Sequence, residues 1–371
     1  MIAEPEKTVN PNNVKRVLLI RFGGVGDIVH VTPCIRAIRE GLRGVLLTVV
    51  VEGRFSDVVK YSPHIDNIIE CDHLPERSVP FSTEFARAHE LLGRSPGQFD
   101  LAIDLQGTVR SAVWMEATGA RYRCGRVSTL GEGEVTAAPG ELRRGWTVSV
   151  PENLRKHAIL EYADLLEAIG FPVGNPAPEV FVSKETEERV AAALRERDLP
   201  PSDFLMVNPF SRVESKDWPI ERWAELIVRL HERYRPPTVV HVGPSAYDRG
   251  AELFAHLRNL PGVAQLRLGL AETMCLLRRA ALAVTVDTGP MHIAAAWGVK
   301  VVALFGPSLP ERTAPWGSRH VIIQAKKPAD CRAWLRDHSG EFIRAIGVDE
   351  VLGAVSKAWE EELTGTDWKT E

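Results

Sequence analysis

Short, unbroken runs of aliphatic and β-branched residues recur along this chain, and a helix-length segment follows most of them. The first is Val17–Ile20 (VLLI), followed by a helix expected over Ile28–Glu40. Leu46–Val51 (LLTVVV), Asn67–Glu70 and Phe99–Leu105 (FDLAIDL) read as further strands, and Thr108–Thr118 as a helix. Runs this short and this uniformly apolar predict strands buried on both faces, as in parallel sheets with helices on either side. The pattern then restarts. Strands are expected at Phe204–Val207, Thr238–Val242, Ala281–Val286 and Val301–Phe305. Helices are expected at Ile220–Tyr234, Ala246–Leu257 and Pro290–Trp297, with an amphipathic helix Val348–Glu362 closing the chain. A helix over Leu154–Ile169 and the segment FPVGNPAP (171–178), with three prolines and one glycine, lie between the halves and mark a linker. The expectation is an α/β protein of two Rossmann-like domains facing a cleft. Residues 1–13 form a tail, 14–173 one α/β domain, 174–347 a second, and 348–371 a C-terminal helix and tail. Gly125–Gly145, rich in Gly, Glu and Arg, reads as a surface loop.

Composition narrows the function classes. With 371 residues, 45 Lys+Arg and 49 Asp+Glu, the net charge is −4, and no global basic excess supports duplex nucleic-acid binding. Five widely spaced cysteines (34, 71, 124, 275 and 331) include no CxxC, which argues for a reducing compartment without a disulfide framework or zinc site. The polar start MIAEPEKTVNPNN has no apolar core of a signal peptide, and no stretch reaches about 18 apolar residues. A reducing, cytoplasmic setting is expected.

Three strand ends carry residues suited to chemistry. In VLLIRFGGVGDIVH (17–30) a strand runs into Gly23, Gly24 and Gly26, then Asp27 and a helix. Glycines there let a ligand approach the backbone, and a helix N-terminus favours anions. The run is neither GxGxxG, since Val29 holds the third glycine position, nor a Walker A loop, since the chain has no Gly-Lys pair. Asp27 is either a general base at the ligand-binding edge or a helix cap. In VNPFSRVESKDWPIERW (207–223), Ser211, Arg212, Ser215 and Lys216 precede a helix with Pro219 at its start. This loop suits a diphosphate, or is simply solvated over Trp218 and Trp223. In VTVDTGPMHIAAAWG (284–298) a strand ends at Asp287, Thr288-Gly289-Pro290 begins a helix, and His292 lies in its first turn. The N–H groups of Thr288 and Gly289 are expected to face the cleft.

These blocks resemble the bacterial ADP-heptose:lipopolysaccharide heptosyltransferases, glycosyltransferase family 9, which have the GT-B fold. The resemblance rests on GGVGDIVHVTPCIRAIRE (23–40), SRVESKDWPIERWAEL (211–226) and DTGPMHIAAAWGVKVVALFGPSLPERTAPWG (287–317), and runs from Val14 to about Val355. It implies that Asp27 is the base toward the acceptor hydroxyl and that Lys216 meets the donor's phosphates. Ser211 and Arg212 match the loop before that lysine. Thr288, Gly289 and His292 match the diphosphate-binding turn, and Asp287 the acid near the donor sugar. Asp248 sits where the family often has a Glu contacting ribose, and Leu268 where backbone meets adenine. Many relatives carry clustered cysteines near the C-terminus, whereas here only Cys331 lies there.

Together the residues and the resemblance predict an inverting transfer from an ADP-sugar, with no cofactor and no metal. The chain also contains no Asp-x-Asp to bind one. From Gln106 to His157 there are eight Lys/Arg (Arg110, Arg121, Arg123, Arg126, Arg143, Arg144, Arg155, Lys156) against five acids. That excess fits an anionic glycolipid acceptor such as a lipopolysaccharide inner core at the inner-membrane surface, where the enzyme would act peripherally, or an ordinary solvated surface. A nucleotide-sugar 2-epimerase and a non-catalytic nucleotide-sugar-binding protein remain the alternatives. A dehydrogenase is disfavoured by the failed GxGxxG.

Overall fold

The computed structural model describes residues 8–73, 79–93, 98–127, 135–136, 146–257, 260–324 and 339–364. The chain divides into two compact units, Met1–Phe181 and Val182–Glu371.

In the first unit the strands are β1 (Arg16–Ile20), β2 (Leu46–Glu52), β3 (Asn67–Cys71), β5 (Leu101–Asp104), β6 (Tyr122–Val127) and β8 (Val148–Pro151). They form one sheet in the order β3-β2-β1-β5-β6-β8, every pairing parallel. Two-residue strands β4 (Val79–Pro80) and β7 (Val135–Thr136) pair separately. The second unit repeats the plan with β9 (Phe204–Asn208), β10 (Thr238–His241), β11 (Val263–Leu266), β12 (Ala280–Val286), β13 (Lys300–Leu304) and β14 (Val321–Ile323). Its order is β11-β10-β9-β12-β13-β14, again all parallel. Counted within each sheet, both orders are 3-2-1-4-5-6. The direction of winding reverses between the first and fourth strands, and the loops leaving those two strands flank the crevice where such sheets bind ligands. In the first unit these are the loops after β1 and β5. In the second they follow β9 and β12.

Burial explains the strand assignments. β1 reads exposed-then-four-buried, β5 is buried throughout, and β9, β10 and β13 are buried at every position. The expected surface loop at Gly125–Gly145 is corrected at its start. Gly125, Arg126 and Val127 are the end of β6, because Cys124–Val127 pair with Val148–Pro151 and a Cβ at Gly125 would lie 2.5 Å from the Trp146 ring. Residues 128–134 and 137–145 of that expectation lie outside the described residues, as does Cys331. Within the expected tail, Pro11–Asn13 form a short turn whose preceding Asn10 side chain accepts the Asn12 N–H.

Residues 174–181, assigned from sequence to the second domain, stay with the first unit. The reason is local bonding. Arg36 donates to the Asn175 and Ala177 carbonyls at 2.6 and 3.0 Å and pairs with Glu179 at 2.8 Å, and Thr32 Oγ1 takes the Glu179 N–H. The C-terminal helix Val348–Leu363 belongs to the second unit. Val351, Val355, Ala358 and Trp359 join its core, while Arg229 pairs with Asp349 and Arg319 with Glu362.

Candidate active site

In the first unit, β1 ends at Ile20 and the helix Val25–Gly41 begins after Arg21-Phe22-Gly23-Gly24. Gly23 has no room for a side chain, because a Cβ there would lie 2.5 Å from the Phe55 ring. Gly24 is the N-cap residue and makes no side-chain cap; its carbonyl accepts the Ile28 N–H at 3.0 Å. The helix starts three residues earlier than the sequence predicts, so Asp27 lies inside the first turn and does not cap it. Its half-exposed carboxylate pairs with Arg21 at 2.9 Å. Arg21 is itself buried. It donates to the Leu105 carbonyl at 3.0 Å and its guanidinium stands 5.5 Å from the Tyr162 ring centroid. Across the crevice of this sheet, Asp104 folds the loop after β5. It accepts the Gln106 and Gly107 N–H groups and the Ser111 hydroxyl, while Gln106 Oε1 takes the Phe22 N–H. The two loops are therefore joined.

Beside them lies an acidic residue that the sequence reading missed. Glu52, at the end of β2, is buried and pairs with Arg54 at 2.7 Å, His73 at 3.2 Å and Arg110 at 3.4 Å. The signal was present, as a strand ending in Glu followed by Gly53, but nothing in the linear order links position 52 to 110. Much of the basic excess between Gln106 and His157 is tied up in ion pairs. Arg110 is enclosed by Glu84 and Glu52, Arg126 by Glu161 and Glu152, while Arg123 pairs with Glu116 and Lys156 with Asp164. Arg143 and Arg144 lie outside the described residues. The described part of that stretch therefore mixes buried ion pairs, at Arg110 and Arg126, with exposed arginines at 121 and 155.

In the second unit, the loops after β9 and β12 bring Lys216 and Asp287 together, 71 residues apart in sequence, with Nζ 2.6 Å from Oδ2. Asp287 is buried, which works against its charge, but Lys216 and then His292 outweigh that and hold its carboxyl below the usual range. Thr288 precedes the helix Gly289–Ala296 in extended conformation and makes no side-chain cap. Among the described residues, no hydrogen bond takes the N–H of Thr288 or Gly289. Two free backbone donors, a lysine and His292 thus surround one strand end at the second sheet's crevice, an arrangement made for an anionic oxygen.

The other expected donor residues divide. Ser211 is buried and its hydroxyl accepts the Val213 N–H at 3.2 Å, so it shapes the loop; Arg212 is exposed. Asp248 is exposed in the first turn of the helix Tyr247–Leu257, with no side-chain partner among the described residues. Leu268 follows β11 at the same sheet edge. Trp218 and Trp223 do pack beneath the lysine loop, ring centroids 5.1 Å apart and edge to face. Sequence reasoning missed Asp217, whose carboxylate pairs with Arg249, and His241, whose ring bonds Asn208 and Thr273 at 3.0 and 2.8 Å. Burial pushes the His241 pKa down to about 4, so the ring is neutral. Among the described residues, no group of three or more His, Cys, Asp or Glu is placed to hold a metal ion, and no helix is long and apolar enough to cross a membrane.

Two strand-end sites on two sheets of this order define an α/β protein of the GT-B class. The model of glycosyltransferase family 9 (heptosyltransferase) matches residues 89–335, more than half of the sequence, and the chain belongs to that family. It is a glycosyltransferase. Among curated relatives, lipopolysaccharide heptosyltransferase 1 of Pseudomonas aeruginosa is 27% identical over 84% of this chain and 84% of its own length. The enzyme of the same name from Escherichia coli K12 is 24% identical over 84% of this chain and 94% of its own. Among solved structures, a family 9 glycosyltransferase from Veillonella parvula superposes with a TM-score of 0.80 at 22% identity, covering 94% of this chain and 98% of that one. The ADP-heptose lipopolysaccharide heptosyltransferase II of E. coli gives 0.71 at 19% identity, covering 94% and 99%.

Proposed function

We propose that this enzyme transfers a heptose from an ADP-sugar to a lipopolysaccharide inner-core acceptor, inverting the anomeric centre and using no metal ion. One observation carries the reading: the Lys216–Asp287 pair beside the unbonded N–H groups of Thr288 and Gly289, at the crevice of the second sheet. The curated relatives' names support the choice of sugar and acceptor.

The chemistry divides between the two units. Lys216 and the Thr288 and Gly289 amides hold the leaving diphosphate, whose negative charge grows as the glycosidic bond breaks. Preorganised donors of this kind usually supply the largest part of the rate. Asp287 keeps Lys216 in place and lies on the sugar side of the phosphates. Asp27 takes the proton from the acceptor hydroxyl as it attacks, worth ~10²–10⁴ in rate for a well-placed base. Attack and departure on opposite faces of the anomeric carbon give inversion in one step. Asp248 meets the ribose and Leu268 the adenine.

The test is transfer itself. Purified enzyme, ADP-heptose and an inner-core acceptor should yield an acceptor heavier by one heptose in mass spectrometry, with inverted linkage by NMR. The yield should be unchanged after EDTA and gel filtration. ADP release without acceptor glycosylation would overturn the acceptor, and recovery of activity only on adding Mg²⁺ or Mn²⁺ would overturn the metal-free mechanism.

A further inference from the structure

The loop that carries Lys216 is closed by a residue outside the expected site. Asp217 directly follows the lysine. Its Oδ1 accepts the Ser211 N–H at 2.6 Å, joining the two ends of the loop. Its Oδ2 accepts from Arg249, which comes from the first turn of the helix Tyr247–Leu257. The second nitrogen of the same guanidinium donates to the Ser211 carbonyl at 3.2 Å, and the group lies 5.1 Å from the Phe210 ring centroid. One arginine therefore grips both ends of the Ser211–Asp217 loop. Within it Arg212, Val213 and Glu214 are exposed, and only the short turn Glu214–Lys216 is regular. Its other ties include the Val213 N–H to Ser211 Oγ bond and the Lys216–Asp287 pair. Arg249 is also the neighbour of Asp248, so the clamp ties the lysine loop to the helix that carries the ribose-side acid.

We propose that Arg249 is a positioning residue for donor binding. With Asp217 it pre-orders the Ser211–Asp217 loop, so that Lys216 and Asp248 are set for the two ends of one nucleoside diphosphate. The inference rests on the reading of the Lys216 loop as the diphosphate site. Pre-ordering removes a conformational cost that binding would otherwise carry, and its loss shows as weaker binding before it shows as slower chemistry.

The test compares Arg249→Met, Arg249→Lys, Asp217→Asn and the double variant Arg249→Met/Asp217→Asn with wild type. Lys216→Ala serves as the control for the site. ADP titration calorimetry, donor and acceptor kinetics and amide hydrogen exchange over residues 211–217 are the readouts. Arg249→Met should raise the ADP Kd and the donor KM about tenfold, the scale of one lost charge-assisted hydrogen bond. Its kcat and acceptor KM should stay within about threefold, and loop amides should exchange faster. Asp217→Asn should act similarly, the double variant should be no worse than the worse single, and Arg249→Lys should recover part of the affinity. The proposal is overturned if Arg249→Met and Asp217→Asn fold and bind ADP within twofold of wild type while Lys216→Ala loses affinity. It is also overturned if kcat and thermal stability fall and acceptor KM rises together with the loss of donor affinity, as a general packing defect would cause. A Lys216→Ala variant with unchanged ADP affinity would sink the diphosphate reading itself.

Discussion

Asp27 and Asp217 show how a carboxylate's neighbours decide its use. Asp27 is half-exposed and held by one buried arginine, which is anchored in turn on the Leu105 carbonyl. A carboxylate so oriented and still open to solvent suits proton abstraction. Asp27→Asn is expected to abolish transfer while leaving ADP affinity within about threefold, since Lys216, Thr288 and Gly289 belong to the other unit; calorimetry and a transfer assay check both halves. Asp217 is the opposite case. Burial, with Glu214 adding to it, pushes its pKa up to about 6 despite the Ser211 N–H and Arg249. A carboxyl whose folded pKa exceeds its unfolded value of 3.8 contributes most stability when protonated, and that contribution is lost as pH rises toward 6. The Asp217→Asn variant, which cannot ionise, should therefore gain thermal stability relative to wild type between pH 4 and pH 6.5. A constant difference in Tm across that range would contradict the assignment. The ionised clamp would then be retained for donor binding at a cost to the fold. The place of Asp27 in the fold was legible in the sequence because it adjoins a strand, a glycine run and a helix. Position 217 was not, since its partner lies 32 residues away in the next helix.

At the scale of elements, the loop after β1 is decided by close packing. The Gly23 backbone passes so near the Phe55 ring that an alanine methyl needs space the ring occupies. Gly23→Ala is expected to cost about 1–3 kcal/mol by overpacking, and Phe55→Leu should recover part of it in the double variant; urea denaturation of the four proteins measures both. The sequence reading assigned the glycine to ligand approach, and the structure adds a packing reason for it. Helix starts were read less well than strands. The expected start at Ile28 ignored Val25 and Gly26, because glycine and a β-branched residue are weak helix formers that tertiary contacts override here. Strands with continuous apolar runs were readable. β6 was hidden, because Tyr122–Val127 (YRCGRV) carries two arginines and a glycine in a run of six. One of them, Arg126, is paired with Glu161 and Glu152, more than 25 residues on.

At the scale of the whole molecule, the C-terminal helix belongs to the second unit's core. The Trp218 indole N–H donates to the Ile346 carbonyl at 3.0 Å, and Arg222 donates to the Ile346 and Arg344 carbonyls. The lysine loop is thus anchored on the segment that leads into that helix. A chain ending at residue 347 removes Val351, Val355, Ala358 and Trp359 from the core. At about 2–5 kcal/mol for each large apolar side chain lost from a core, that exceeds the usual stability of a domain. The truncated protein should lose the cooperative unfolding transition of its second unit in calorimetry while the first unit's transition persists. A wild-type Tm for both transitions would refute this.

What the sequence determined by itself was whatever is local: the β-branched runs, their alternation with helices, the restart that makes two α/β halves, and the strand ends at Asp27, Lys216 and Asp287. Each depends on neighbours within a dozen residues, so periodicity and turn chemistry suffice to find it. Tertiary structure alone decided the strand order that places β9 beside β12, and with it the contact of Lys216 with Asp287. It also decided the burial of Arg110 and Arg126 as ion pairs where a count of charges suggested a basic surface, and the closing of the lysine loop by Arg249. These are contacts between residues far apart in sequence. Their geometry follows from which sheet edges and helix faces can bury one another, and no local pattern of residues encodes that.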